Sequence, residues 1–429
     1  MKTSHLIGAS LFAILATQPV FAQAPQAEAM TTPVPEAVDN SPDIIVTASK
    51  RAQTLQDTPI SVSVTTAASI EQSQVRDLID LQTLVPSLKV GQQRSSANTS
   101  FYIRGFGNGA NNAGIEPSVG VFIDGVYRSR SGAQIGDLPS IERIEVLRGP
   151  QSTLFGKNAS AGIISVITAA PSQTFGGSVE ASYGNYNAII FKGAITGPIS
   201  DTLAFSLSGN FNKRDGYGRD LNLNIRTNDR DRFGGRVQLL FEPSANFKLR
   251  LIGDYDKINE ICCTVANLVD GPTGAIIRAL GGRVNSNQPF SFDAFTNIPS
   301  TNRIDNYGGS AQIDIGVSDT LAFTSISAYR GIRSFDNQDS DFTSADLIGR
   351  NSTSLKIDTF TQELRLTSDF DGPLNFLLGG FYFDEKIDQA NQLNFGTQFR
   401  AYGNALIGQA SGGALNVGLL ENTFGALEG

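Results

Sequence analysis

The chain has 429 residues and a net charge of −8, from 33 Lys and Arg against 41 Asp and Glu. It is too long for one ordinary core, and its charge has the wrong sign for a nucleic-acid binder. Beyond the N-terminus there is no run of about 18 apolar residues, which excludes a helical membrane protein. The only histidine is His5 and the only cysteines are the adjacent Cys262 and Cys263. No His-based metal site and no Ser-His or Cys-His pair is available, so neither an enzyme nor a cofactor is expected.

Residues 1–22 read as a secretory signal. Lys2 is the basic start, Leu6–Ala16 the short apolar region, and Val20-Phe21-Ala22 a small-residue cleavage site. Residues 23–42, rich in Ala, Pro and Glu, read as a disordered leader. Next come the β-prone Asp43, Ile44, Ile45, Val46, Thr47 and Ala48, in a box-and-link segment over 43–51. They form either an ordinary first strand or an exposed strand waiting for a partner's sheet edge.

Residues 52–171 read as a compact α+β domain. "PISVSVTT" is a strand, residues 69–85 a helix opened by Ser69, and "FYIRGFG", "SVGVFIDGVYRSR" and "IERIEVLRG" further strands. Polar loops over 94–98 and 108–116 separate them. The strand over 141–148 is unusual in being apolar and heavily charged at once, with Glu142, Arg143, Glu145 and Arg148 among Ile144, Val146 and Leu147.

From about residue 172 the pattern alternates with period two. Phe233, Val237, Leu239 and Phe241 share one face, and Arg232, Arg236 and Gln238 the other. Nine strands are expected, at 178–184, 187–198, 202–213, 230–242, 246–256, 303–317, 320–333, 355–369 and 373–387. Many exceed the usual five or six residues. Connections after strands two, four, six and eight are tight; those after three, five and seven are long. This asymmetry is the pattern of an outer-membrane barrel.

On the hexad "DIIVTA", the pieces "PISVSV", "IRGFG" and "VGVFIDGVYRSR", and above all "IERIEVLRGPQSTLFGKNASAGIISVIT", the chain resembles TonB-dependent outer-membrane receptors. The resemblance implies an α+β plug followed by an antiparallel transmembrane β-barrel of 22 strands, in the cell outer membrane of a Gram-negative bacterium. It implies uptake of a scarce nutrient such as a ferric siderophore, with a glycan, haem or cobalamin as alternatives. A passive porin-like channel and a soluble secreted binding module are the competing classes. The partners implied are TonB at residues 43–48, a small-molecule or metal-chelate substrate, and outer-membrane lipid. Pulling on the hexad would reach the plug through residues 49–58, about 33 Å of chain when extended. Glu142, Arg143, Glu145 and Arg148, with Arg104, would pair with one another and with charges of the barrel lumen, either as fixed supports or as a releasable latch. Arg94, Asn98, Asn108, Asn111 and Asn112 are candidate substrate contacts by loop position.

Size sets a further expectation. A plug of about 120 residues is about 35 Å across, whereas nine tilted strands close a ring of only about 18 Å. Residues 172–429 are therefore expected to form a partial, open wall of about nine of 22 strands. Cys262 and Cys263 fall in a long outer connection, where oxidation is possible. A vicinal disulfide is expected, with a soft-metal thiol pair as the alternative. Thiol labelling of intact cells without reductant is expected to leave both cysteines unmodified; modification of both would refute the bond.

Overall fold

The computed structural model describes residues 44–47, 49–51, 53–92, 95–108, 112–130, 132, 136–137, 140–263, 265, 271–285 and 290–424. The signal and leader, and Asp43, Ala48, Arg94 and Asn111, lie outside the described residues. No described helix is long and apolar enough to cross a membrane.

The plug opens with two short paired strands, β1 (Ile45–Val46) and β2 (Gln53–Thr54). β3 (Val62–Thr66) leads into α1 (Ala67–Gln72), whose N-terminus is capped by Thr66 accepting from the Ser69 N–H. The helix expected over 69–85 does not continue. Gln74 takes a positive φ of 53°, and the Asp77 carboxylate accepts from the N–H groups of Ile79 and Asp80. Such a local side-chain bond offers the backbone an alternative to the helix, and only a 3₁₀ turn at Asp80–Thr83 follows.

β4 (Leu88–Gln92) and β5 (Thr99–Ile103) form a separate ladder. β6 (Val119–Ile123), β7 (Val126–Arg128), β8 (Ile141–Arg148) and β9 (Gly162–Thr168) join β3 in a five-stranded sheet of order β3-β8-β9-β6-β7. The Gly149-Pro150 break leads into a single turn, α2 (Ser152–Phe155), framed by Gly149 and Gly156 at φ of 85° and 78°, a region glycine enters without strain. Both faces of this sheet carry apolar clusters. Leu78, Leu81, Phe101, Ile144, Val146 and Ile164 fill one. Val46, Phe122, Tyr127, Leu147, Phe155 and Ile163 fill the other.

The wall is one antiparallel nine-stranded sheet. Its members are β10 (Gly176–Gly184), β11 (Ala188–Ser200), β12 (Leu203–Arg214), β15 (Arg230–Ser244), β16 (Phe247–Ile261), β18 (Thr301–Ser318), β19 (Leu321–Asn337), β20 (Ile348–Ser368) and β21 (Leu377–Phe395). The count and order match the expectation. The last strand starts later than expected, because residues 369–376 make a broader turn in which Asn375 bonds Phe370 and Ser368. The sheet is open: β10 and β21 each pair on one side only. Two long connections carry a small sheet of their own, β13 (Gly218–Asp220), β14 (Ile225–Thr227) and β17 (Asp293–Ala294). Three helices also lie among the long connections and after β21: α3 (Pro272–Ala279), α4 (Phe399–Ala410) and α5 (Val417–Phe424).

The wall is inverted relative to a soluble sheet. Val179, Phe191, Leu207, Phe233, Val237 and Leu378 are exposed on one face. Asn210, Asn212, Arg232, Arg236, Gln238 and Asn306 are buried on the other, against the plug. Apolar-out and polar-in alternation is what a lipid-facing barrel requires.

At the centre of the polar face Arg232 is buried among three carboxylates. It reaches Asp77 at 2.8 Å, Asp137 at 3.1 Å and Glu260 at 2.6 Å. Glu260 also accepts from Ser96 Oγ at 2.7 Å. One wall side chain thus ties two plug segments, through Asp77 and Asp137, to its wall neighbour Glu260, which holds a third through Ser96; removing it takes the closest cation from three buried carboxylates, leaving Glu260 with Arg230 at 3.3 Å. Arg232→Met is expected to lower stability by about 3–5 kcal/mol. The unfolding midpoint measures this, and adding Asp77→Asn, Asp137→Asn and Glu260→Gln is expected to restore part of the loss.

Candidate functional site

The two ends of the wall differ. Tight turns follow β11, β15 and β18, while the long connections lie at the other end. Two sets of plug residues mark these ends.

At the short-turn end lies the N-terminal hexad. Ile44 and Ile45 are about half exposed, but Val46 is fully buried against the plug. β1 pairs with β2, and the Thr47 N–H donates to both oxygens of Glu145 at 3.0 and 3.2 Å. The sequence left open an ordinary first strand or an exposed one; here the described residues 44–47 are docked on the plug, with Ile44 and Ile45 half exposed. The cause is tertiary: Val46 fills a gap beside Leu147, and Glu145, fully buried on the same face of β8, satisfies a backbone donor 98 positions away. The link is not extended either. It folds back through β2, and Lys50 pairs with Glu363 of β20 at 2.9 Å while lying 4.4 Å from the Phe155 ring centroid. Burial pulls the Lys50 ammonium below its usual pKa, with Glu363 opposing. Arg51 donates to the Phe376 carbonyl at 2.7 Å, beside the last turn.

The charged strand β8 behaves differently from expectation in one respect. Arg143 does pair with Glu142 and, at 2.8 Å, with Glu145. Arg148, however, bonds Ser61 and Ser87 at 3.0 Å each and also Ser63, and Arg104 bonds Ser61 at 3.4 Å. These hydrogen bonds stay within the plug rather than reaching wall charges, because β8 sits between β3 and β9 and its arginines meet the serines of neighbouring plug segments. Other residues supply the plug–wall pairs, and sequence reading missed them. Arg128 pairs with Asp254 at 3.6 Å, Asp124 with Arg250 at 3.4 Å and also with Arg236, and Arg130 with Glu385 at 3.0 Å. The alternating pattern did show the inward wall charges. Nothing in the plug sequence marked Asp124 or Arg128 as their partners.

At the long-connection end a cleft open to solvent lies between plug and wall. Asn98, Asn108 and Asn112 line it, as do Ser100, Phe101 and Arg130. Asn108 also steadies its own loop, accepting from Ser118 N–H at 2.7 Å and donating to the Glu116 carbonyl. Across the cleft stand Ile332, Ser334 and Asp336 of β19, Thr353 and Leu355 of β20, and Gln389 of β21.

Carboxylates knit the outer connections together. Asp220 accepts from Thr296 N–H at 2.9 Å, and Asp339 from Asn297 N–H at 2.9 Å. Asp346 accepts from Thr397 N–H at 2.8 Å. Burial, and then the charge of Asp341, push the Asp339 carboxyl up to about 7, against three backbone N–H bonds that favour the anion. Cys262 and Cys263 are disulfide-bonded at the foot of the connection after β16. Both sulfurs lie 3.9 Å from Gln92 Oε1 of the plug.

A plug domain packed against the polar face of an inverted antiparallel wall defines the class: a plugged membrane β-barrel architecture. Residues 54–163 match the TonB-dependent Receptor Plug Domain. Residues 54–163 are thus a plug domain of the TonB-dependent receptor kind, and barrel-type strands follow it. It is 31% identical over 210 residues to an iron-regulated outer membrane virulence protein of Vibrio cholerae, covering 43% of this chain and 30% of that protein. It is 28% identical over 187 residues to the vitamin B12 transporter BtuB of Vibrio vulnificus, covering 42% and 30%. The solved structure of the ferric yersiniabactin uptake receptor FyuA from Yersinia pestis shares the fold with a TM-score of 0.66 at 20% identity, over 78% of this chain and half of that one. The chain thus spans less than a third of the curated relatives it matches.

Two outcomes follow from this geometry. Glu145→Ala removes the acceptor that holds Thr47, so a spin label at position 44 is expected to become markedly more mobile while the plug core stays folded. The folded Asp339 carboxyl keeps its proton up to about pH 7, whereas an unfolded one loses it near about 4. The outer connection around it is therefore most stable in acid and loses that stability as pH rises towards 7. Hydrogen exchange over 338–347 is expected to quicken between about pH 5 and about pH 8 beyond the intrinsic rate change, and Asp339→Asn to flatten that excess.

Proposed function

We propose that the protein is a receptor for energised uptake of a scarce nutrient, such as a ferric siderophore, across the outer membrane. TonB would act on the segment 43–48, and the nutrient would bind at the opposite end of the plug. The observation that carries this reading is the polarity of the plug: a short β-strand docked at the tight-turn end, and a polar cleft at the end of the long connections. A passive channel needs neither a plug tied to the wall by buried ion pairs nor a docked strand.

The outer membrane has no nucleotide supply, so the work must come from a partner. Strand addition to β1 supplies it physically, since main-chain bonds tolerate most side chains. One edge of β1 is already used by β2, and Thr47 by Glu145. Partner binding must therefore displace those contacts, and a pull then falls on Lys50 and its bond to Glu363.

Ile45→Pro tests the reading. Proline lacks the N–H that a ladder needs. Binding of the periplasmic domain of TonB to the variant is expected to be lost, along with energised uptake, while ligand binding at the cell surface remains. Uptake at the wild-type rate by the proline variant would sink the proposal.

A further inference from the structure

A disulfide restrains an unfolded chain more, the longer the loop it closes. The Cys262–Cys263 bond joins adjacent residues, so it closes only a small ring through one peptide and restrains almost nothing at a distance. Its effect is local, and its place is a junction. Just before it, the Ile261 N–H donates to Asp229 Oδ1 at 2.6 Å, and the Ile261 carbonyl accepts from Asn228 N–H at 2.7 Å. The Cys262 N–H donates to the Ser300 carbonyl at 3.0 Å. Residues 261–262 thus tie the connection that leads into β15 to the one that leads into β18. A small cavity beside the sulfurs is lined from three connections: by Asp220 and Thr227, by Ala294 and Thr296, and by Phe342. Gln92 stands on the plug side.

The two sulfur-bearing residues are not equivalent. Cys262 is 6% exposed, whereas Cys263 is part-exposed. Thiol–disulfide exchange requires access to the sulfur attacked and departure of the other as a thiolate. We propose that this pair is an exchange site for low-molecular-weight thiols, entered at Cys263. The thiolate of the small thiol attacks Cys263 Sγ, the bond to Cys262 Sγ breaks, and Cys262 leaves as a thiolate and takes up a proton. A second small thiol attacks the mixed disulfide on Cys263, giving the Cys263 thiol and the disulfide of the small thiol. Two small thiols are oxidised, and one protein disulfide is reduced to two thiols. Opening the ring frees the backbone at 262–263. The segments gathered around it, 218–227 and 293–300, loosen with it, while the wall strands keep their ladders.

The test uses the full chain in detergent, with reduced glutathione at millimolar concentration as the probe. Cys262→Ser, which keeps the accessible thiol, is expected to react with a maleimide at least about tenfold faster than Cys263→Ser, which keeps the buried one. In the unsubstituted chain, peptide mass analysis after brief exposure and acid quenching is expected to find glutathione on Cys263. Complete reduction is expected to quicken hydrogen exchange over 218–227 and 293–300 about tenfold, to leave β15 and β16 unchanged, and to move the unfolding midpoint little. The double variant Cys262→Ser/Cys263→Ser is expected to show the quickened exchange without thiol and no response to it. Equal maleimide rates, an adduct on Cys262, a bond that glutathione leaves intact, or unaltered exchange in both segments after complete reduction each overturns the proposal. A large fall in the unfolding midpoint on reduction does so too, because the bond would then be a structural brace.

Discussion

The structure depends on one constraint: the polar face of the wall must have something polar to bury itself against. A nine-stranded sheet with Arg232, Arg236, Asp254, Glu260 and Arg330 on one face cannot turn that face to lipid, and cannot close on an apolar core. The plug serves as its solvent. Asp77, Asp124, Arg128, Arg130 and Asp137 supply opposite charges at matching heights, and every one of them lies in a loop, a turn or a short strand of the plug. The plug thus divides its surfaces: its sheet carries two apolar clusters on its faces, and it meets the wall through these charges and through apolar contacts at its edge, where Val126 packs on Ile326 and Ala328 of β19 and Tyr127 on Phe383 of β21.

That division explains the character of β8. Its apolar residues Ile144 and Val146 belong to one core cluster and Leu147 to the other. Glu145 shares a face with Leu147, where it holds the docked N-terminal strand instead of the wall. A strand that is both apolar and charged is what results when a plug element serves an apolar cluster on each face and also holds the N-terminal segment through a buried carboxylate.

Much of this was legible in the sequence. Period-two alternation located all nine wall strands, because each side chain there faces either lipid or plug and the code is binary. The plug was recognisable from "IERIEVLRGPQSTLFGKNASAGIISVIT" as a block. Three things were not. The helix over 69–85 fails because Asp77 bonds its own backbone and is also held by Arg232, a partner 155 positions away. The docking of Val46 needs a gap formed by Phe122, Leu147 and Phe155, which no local pattern reveals. The candidate loop residues were half visible: Asn98, Asn108 and Asn112 do line the outer cleft, while Arg94 and Asn111 lie outside the described residues, and the wall residues across from them come from β19, β20 and β21, far away in sequence.

The carboxylate brackets of the outer connections carry a consequence for how such a surface changes over time. Surface loops ordinarily vary one by one, since each answers only to its own two ends. Here Asp220 holds the backbone at Thr296, Asp339 holds Asn297, and Asp346 holds Thr397, while β13 and β17 share a ladder across two connections. A deletion or transplant in any single connection would unhook its neighbours. The outer surface can drift at its tips, but it has to be inherited, or exchanged between lineages, as one block.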